Sequence, residues 1–152
     1  MFENYTRLRF TREGRILRMT IAGLGKVNAV DQTMHHELGR CFHEIQDDPD
    51  SDLVVLTGEG RAFCAGGDVD WFYAMMDDPR RFRAIAPEGK RIVNTLLELE
   101  KPIICRLNGA AAGLGATLAL LCDVVIAADT AVIGDPHVKM GLVAGDGGAL
   151  IW

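Results

Sequence analysis

Two stretches of this chain place a run of apolar residues directly ahead of a turn made almost wholly of glycine and alanine. The first is Val54-Val55-Leu56-Thr57-Gly58, followed by Phe63-Cys64-Ala65-Gly66-Gly67-Asp68. The second is Pro102-Ile103-Ile104-Cys105-Arg106-Leu107, followed by Asn108-Gly109-Ala110-Ala111-Ala112-Gly113-Leu114-Gly115. Small side chains let a ligand reach the backbone, and glycine permits turns closed to other residues. Two such turns can aim two backbone N–H groups at one point, which is the geometry that stabilises negative charge growing on a carbonyl oxygen. That chemistry belongs to acyl transfer and enolate formation. Further along, His137 and Asp146 stand nine positions apart on the arms of a glycine-containing loop. If they meet, the carboxylate can orient the imidazole and support its protonated form.

The elements that must carry these groups alternate along the chain. Residues 5–11 and 15–22 read as two strands around a Glu13-Gly14 turn, and 23–30 as a loop. Asp31 is placed to cap a helix with Met34, Leu38, Cys41, Phe42 and Ile45 on one face. Residues 53–57 read as a buried strand, and Val69 to Met76 as a short helix that Asp68 is placed to cap. A longer helix follows over about 79–99, then a strand after Lys101-Pro102. A small-residue helix over 113–121, a second buried strand over 124–128, a short strand at 131–133 and an Asp135-Pro136 turn complete the pattern. It predicts an α/β fold, with apolar runs too continuous for a sheet wet on one face. The 152 residues suffice for one domain, 1–152, which can bury about two thirds of its unfolded surface.

Composition narrows the function classes. Apolar residues make up 49% and charged residues 24%, as in ordinary globular proteins, and the net charge of -5 argues against a nucleic-acid surface. The basic group Arg80, Arg81, Arg83, Lys90 and Arg91 reads as a solvated helix face. Cys41, Cys64, Cys105 and Cys122 show no paired spacing and read as buried thiols of a reducing compartment. With no signal-peptide pattern and no spanning apolar run, the expectation is a cytoplasmic protein without a membrane segment. His36 and His43 lie seven residues apart with no third ligand in place, so no metal site is expected. The end at Leu150-Ile151-Trp152, without a cap or polar tail, reads as a truncated piece of a longer protein or as a surface needing a partner.

Taken in order, these motifs resemble the enoyl-CoA hydratase/isomerase (crotonase) family. Phe63 to Asp68 looks like its first oxyanion segment, and Asn108 to Asp123 like its second. Lys26-Val27-Asn28-Ala29-Val30 looks like the loop that meets the nucleotide part of coenzyme A. Ile133-Gly134-Asp135-Pro136 and Gly141 to Gly148 follow the next segment. The resemblance implies a spiral of ββα units cut short before the C-terminal helices, and a homotrimer or hexamer. It implies an acyl-CoA thioester as substrate, with coenzyme A entering as part of it and no tightly bound cofactor. By position, the oxyanion donors are the amides of Ala65 and Leu114. Lys26, Asn28, Ala29, Ala65, Gly66, Gly67, Asp68 and Gly113 are the implied substrate contacts.

The chemistry departs from the family pattern at two points. Hydratases of the family hold a water between two glutamates, whose positions fall here on Thr117 and His137. A threonine hydroxyl is no general base near neutral pH, whereas an imidazole titrates there. The His137–Asp146 pattern resembles the 6-oxocamphor hydrolase type within the family, which cleaves a C–C bond of a cyclic β-diketone; His35 then corresponds to a further active-site histidine. Three readings follow. One is an acyl-CoA enzyme with unusual acid–base residues His137, Asp146 and His35. Another is a CoA-independent β-diketone hydrolase using the same groups, with His137 activating water. The last is an inactive fragment that binds CoA or mediates oligomerisation.

Overall fold

The computed structural model describes residues 2–152. Strands β1 (Leu8–Glu13) and β2 (Ile16–Ile21) form a hairpin. The first strand starts later than its apolar pattern predicts because the Glu37 carboxylate takes the chain ahead of it. Glu37 Oε1 accepts the Thr6 N–H at 2.7 Å, and Oε2 accepts those of Arg7 and Leu8 at 2.9 and 3.1 Å. The turn falls on Gly14-Arg15 rather than Glu13-Gly14, with Gly14 in the left-handed region at φ +55°.

Helix α1 (Gln32–Gln46) crosses from β2 to β3 (Leu53–Gly58). Asp31 caps it, accepting the Met34 N–H at 2.8 Å, and the predicted apolar face is wholly buried. Helices α2 (Val69–Asp77) and α3 (Pro79–Leu97) return the chain to β4 (Ile103–Leu107). A two-residue strand β5 (Ala111–Ala112) and α4 (Leu114–Leu120) lead to β6 (Val124–Ala127). The main sheet has the order β1-β2-β3-β4-β6, antiparallel only between β1 and β2. Parallel neighbours need such helical crossovers. A second, small sheet pairs β5 with β7 (Ile133–Gly134), and α5 (Gly148–Ile151) lies near the end.

One face of the main sheet carries the core. The register row Met19–Leu56–Cys105 is buried, with Leu17, Val54, Ile103 and Leu107 beside it. The opposite row Arg18–Val55–Ile104–Val124 is only partly covered, so the sheet is wetter than its apolar runs imply. The strand over 124–127, predicted to be buried, is exposed throughout, Ile126 at 61%. It is the edge strand, bonded to β4 on one side only. Leu150 and Trp152 are exposed as well. All four cysteines are free and buried, as expected. Among the described residues, no helix is long and apolar enough to cross a membrane.

Helices α1 and α3 are latched by Glu88. Its two carboxylate oxygens meet His35 Nδ1 and His36 Nδ1, each at 2.9 Å. Burial pushes the Glu88 carboxyl up, but the two imidazoles outweigh it and hold it below the usual carboxylate range. A depressed acid contributes stability above its unfolded pKa and loses it as pH falls through the folded value. Glu88→Gln should therefore cost about 1 kcal/mol at neutral pH, and the gap to wild type should close below about pH 4. Thermal melts across that range check the sign. Two glycines give opposite expectations. A Cβ on Gly115 would lie 2.1 Å from the Cys64 carbonyl oxygen, whereas one on Gly39, within α1, would make only ordinary contacts with Glu88. Gly115→Ala should lose at least about 2 kcal/mol, and Gly39→Ala should gain roughly 0.5–1 kcal/mol. Chemical denaturation measures both.

Candidate active site

The two glycine turns are built against each other. The N–H groups of Phe63 and Cys64 donate to the Ala110 carbonyl at 3.0 and 3.1 Å, and the Ala112 N–H returns to the Cys64 carbonyl at 2.9 Å. Helix α4 enters so closely over the first turn that Gly115 has no room for a side chain, and Gly66 faces the Ala112 carbonyl in the same way. Gly113 adopts φ +53°, ψ -125°, a conformation available in practice to glycine alone. These constraints explain why the turns are so poor in side chains.

The first turn corrects one expected donor. The Ala65 N–H donates to the Val27 carbonyl at 3.0 Å, so it is already spent on holding the 23–30 loop. Two residues on, the Gly67 N–H has no partner among the described residues. Its neighbours Gly66 and Asp68 are fixed by exchanges with Val30: the Val30 N–H donates to Gly66 O at 2.8 Å, and Asp68 N–H to Val30 O at 2.9 Å. The ring of Phe72 packs directly over Gly67. On the second turn, Leu114 opens α4, and its N–H likewise has no partner among the described residues.

Other expected contacts resolve into scaffold. Asn28 is buried in the left-handed region at φ +54°, and its side-chain amide donates to the carbonyls of Glu59, Ala62 and Phe63 at 2.9–3.2 Å. It pins the loop to the segment that leads into the first turn, with its side-chain N–H groups engaged. Ala29 is paired with Leu24 through two backbone bonds. Asp68 caps α2, accepting the Trp71 N–H at 3.0 Å. Lys26 is exposed in a 3-10 turn (Gly25–Val27) and has no ion-pair partner among the described residues. It is the charged member of that loop, and its side chain is exposed.

His137 opens a short 3-10 turn (His137–Met140) just after β7, and its Cε1 lies 3.6 Å from where a Cβ on Gly113 would sit. Its ring is held from both sides. Nδ1 donates to Asp135 Oδ1, which also accepts the His137 backbone N–H at 3.0 Å. Nε2 lies 3.2 Å from Asp146 Oδ2. The His137 backbone and ring bonds hold the Asp135 carboxyl below its ordinary range. Burial pushes the Asp146 carboxyl up, against the opposing pull of His137. Asp146 does not cap the final helix, whose first N–H groups receive no side chain.

Two buried oxygens at this place have no hydrogen-bond partner among the described residues, Asp146 Oδ1 and Thr117 Oγ1. Thr117 packs against Gly147, the residue after Asp146, and is almost wholly enclosed. Each unpaired buried oxygen costs about 1–3 kcal/mol, which a bound water or substrate oxygen would recover.

His35 stands elsewhere. It is buried rather than solvated, its Nδ1 is committed to Glu88, and its ring packs against Trp71 with centroids 5.4 Å apart. Trp71 in turn packs against Phe72, which covers Gly67. The structure thus joins His137 to Asp146 and sets His35 behind an aromatic wall. Asp135, read from the sequence only as part of a turn, is the site residue that reading missed. The signal was present in its spacing, since an aspartate two residues before a backbone N–H is poised for an Asx turn.

Comparisons with known proteins bear on the family and the fold. Residues 11–152 match the sequence profile of the family described as enoyl-CoA hydratase/isomerase. A carnitinyl-CoA dehydratase of Citrobacter koseri is 35% identical over 144 residues, covering 94% of this chain and 54% of that protein. A 1,2-epoxyphenylacetyl-CoA isomerase of Escherichia coli is 36% identical over 138 residues, covering 90% and 53%. An enoyl-CoA hydratase/isomerase structure from Mycobacterium paratuberculosis superposes with a TM-score of 0.94 at 34% identity, over 99% of this chain and 61% of that one. The chain therefore spans about half the length of the curated relatives it matches. With its interlocked glycine turns and crossover topology, the chain belongs to the enoyl-CoA hydratase/isomerase (crotonase) family.

Proposed function

We propose that the protein acts on an acyl-CoA thioester through an enolate whose oxygen is held by the N–H groups of Gly67 and Leu114. The observation that carries this reading is the pair of locked turns, each ending in a backbone N–H without a partner. Ala65 leaves the donor pair because its N–H is engaged. Lys26, exposed on the loop that Asn28 pins, is the cation for the phosphates of the CoA moiety. The His137–Asp146 pair, placed beside Gly113, handles the proton. Relatives named as a CoA dehydratase and a CoA isomerase support a CoA-linked substrate and leave the reaction type to this chain's own acid–base groups. We extend the proposal to a trimeric or hexameric assembly of the complete protein, in which exposed apolar residues such as Ile126 and Trp152 become covered.

The same His–Asp contact favours a second reading, cleavage of a CoA-free β-diketone. Calorimetry with acetoacetyl-CoA, free CoA and a CoA-free cyclic β-diketone separates the two. Binding of the thioester and not of the diketone supports the acyl-CoA reading. The reverse result replaces it with the hydrolase, and a folded protein that binds none of the three excludes both.

Two substitutions probe the groups named. Leu114→Pro removes one N–H at the first helical position, where proline is tolerated. It should cut turnover of an acyl-CoA at least tenfold, with free CoA binding retained. Lys26→Ala should weaken free CoA binding several-fold at low ionic strength and much less at high salt, because an exposed charge pair is screened. Titrations at two salt concentrations read this out.

A further inference from the structure

We infer that Glu88 is a positioning residue for the amide of Gly67, acting through His35, Trp71 and Phe72 from a place on α3 remote in sequence from the first turn. This rests on the acyl-CoA reading above, in which that amide is one of the two donors to the thioester oxygen. The connection is a chain of direct contacts. The Glu88 carboxylate meets His35 Nδ1 and His36 Nδ1, each at 2.9 Å. One hydrogen on each Nδ1 satisfies this clasp, whatever the state of the other ring nitrogen. His35 is buried, and its ring lies against that of Trp71 with centroids 5.4 Å apart. The Trp71 and Phe72 centroids are 5.9 Å apart. The Phe72 ring then fills the space in which a side chain on Gly67 would stand.

Little else fixes this part of the chain. Met75 is the single buried residue of α2. Over 79–87, the first half of α3, only Ile85 is even partly covered. Pro87 has no N–H for a helical bond to the Arg83 carbonyl, and the buried face of α3 starts beyond it at Ile92. Glu88 and Gly89 both face α1. The Glu88 Cβ lies 3.9 Å from where a Cβ on Gly39 would sit, and His35 Nε2 lies 3.9 Å from where one on Gly89 would sit. Gly67 has no side chain to anchor it, and its N–H has no partner among the described residues. An oxyanion donor acts only if it is held in place before charge develops. Close-packed rings pass on a displacement rather than absorb it. Release of the Glu88 clasp therefore loosens the donor.

Coupling has to be measured between the ends of the chain of contacts. Acetoacetyl-CoA is the probe, because its enolate absorbs in the near ultraviolet and an oxyanion site raises the bound enolate fraction. Trp152→Phe leaves Trp71 as the sole tryptophan, so acrylamide quenching reports its accessibility. In that background Glu88→Ala should lower the bound enolate fraction at least about threefold and raise the quenching constant at least about twofold, with affinity for free CoA unchanged. Phe72→Ala should lower the enolate fraction similarly. The double variant should do no worse than Phe72→Ala alone, since the ring through which Glu88 acts is gone. Glu88→Gln keeps one acceptor and should recover part of the loss; it carries the same comparison if Glu88→Ala fails to fold. Losses that multiply in the double variant overturn the proposal, as does a Glu88 variant with wild-type enolate fraction. Unchanged Trp71 quenching in the Glu88 variants overturns it whatever the ligand. A wild-type protein that binds no thioester, or binds acetoacetyl-CoA without raising its enolate fraction, instead overturns the acyl-CoA reading, and the quenching still decides whether Glu88 holds Trp71.

Discussion

The three backbone hydrogen bonds that tie the 63–64 segment to the 110–112 segment are the constraint on which the rest of this structure depends. They bring two turns from different crossover units into direct contact. Once those turns touch, side chains have no space at Gly66 or Gly115, where a Cβ would meet backbone. The same contact decides which N–H groups remain available. Ala65 is drawn into the Val27 carbonyl, whereas the N–H groups of Gly67 and Leu114 have no partner among the described residues. A backbone donor held this way needs little reorganisation when charge develops opposite it, and that is why such donors contribute strongly to a transition state.

Electrostatics around His137 follow from the small β5–β7 sheet. Pairing Ala112 with Gly134 ends β7 beside the second turn and so places Pro136 and His137 next to Gly113. The loop through Gly141 then folds back to bring Asp146 to the opposite ring nitrogen. One carboxylate is lowered by the hydrogen bonds it receives and the other raised by burial. Two acids whose environments push them in opposite directions therefore flank one imidazole. The cost is two unsatisfied buried oxygens, and such costs concentrate where a ligand is meant to bind.

Much of the fold was legible because it rests on local rules. Asp31 and Asp68 were readable as helix caps, the apolar face of α1 as core, and the glycine turns as sites of close backbone approach. What escaped depended on distant partners. Glu37 shortened β1 by capturing its leading N–H groups from a helix about thirty residues away. Nothing in Val124-Val125-Ile126 distinguishes an edge strand from a central one, because sheet order is a property of the whole chain. His35 read as an active-site histidine by resemblance until α3 supplied Glu88 and α2 supplied Trp71 as its partners.

By itself the sequence determined the α/β alternation, the family and the segments that form the site, since caps, glycine turns and periodicity act over a few residues. The tertiary structure decided which individual groups are available for chemistry. Ala65, Asn28 and His35 have the right types in the right segments, yet each is already hydrogen-bonded within the scaffold. The Gly67 N–H has no partner among the described residues for the converse reason, and Asp135 becomes a partner of His137 through the fold of one short turn. Availability of a donor or acceptor is set by what else lies within 3 Å of it, and that distance is fixed only when the whole chain has packed.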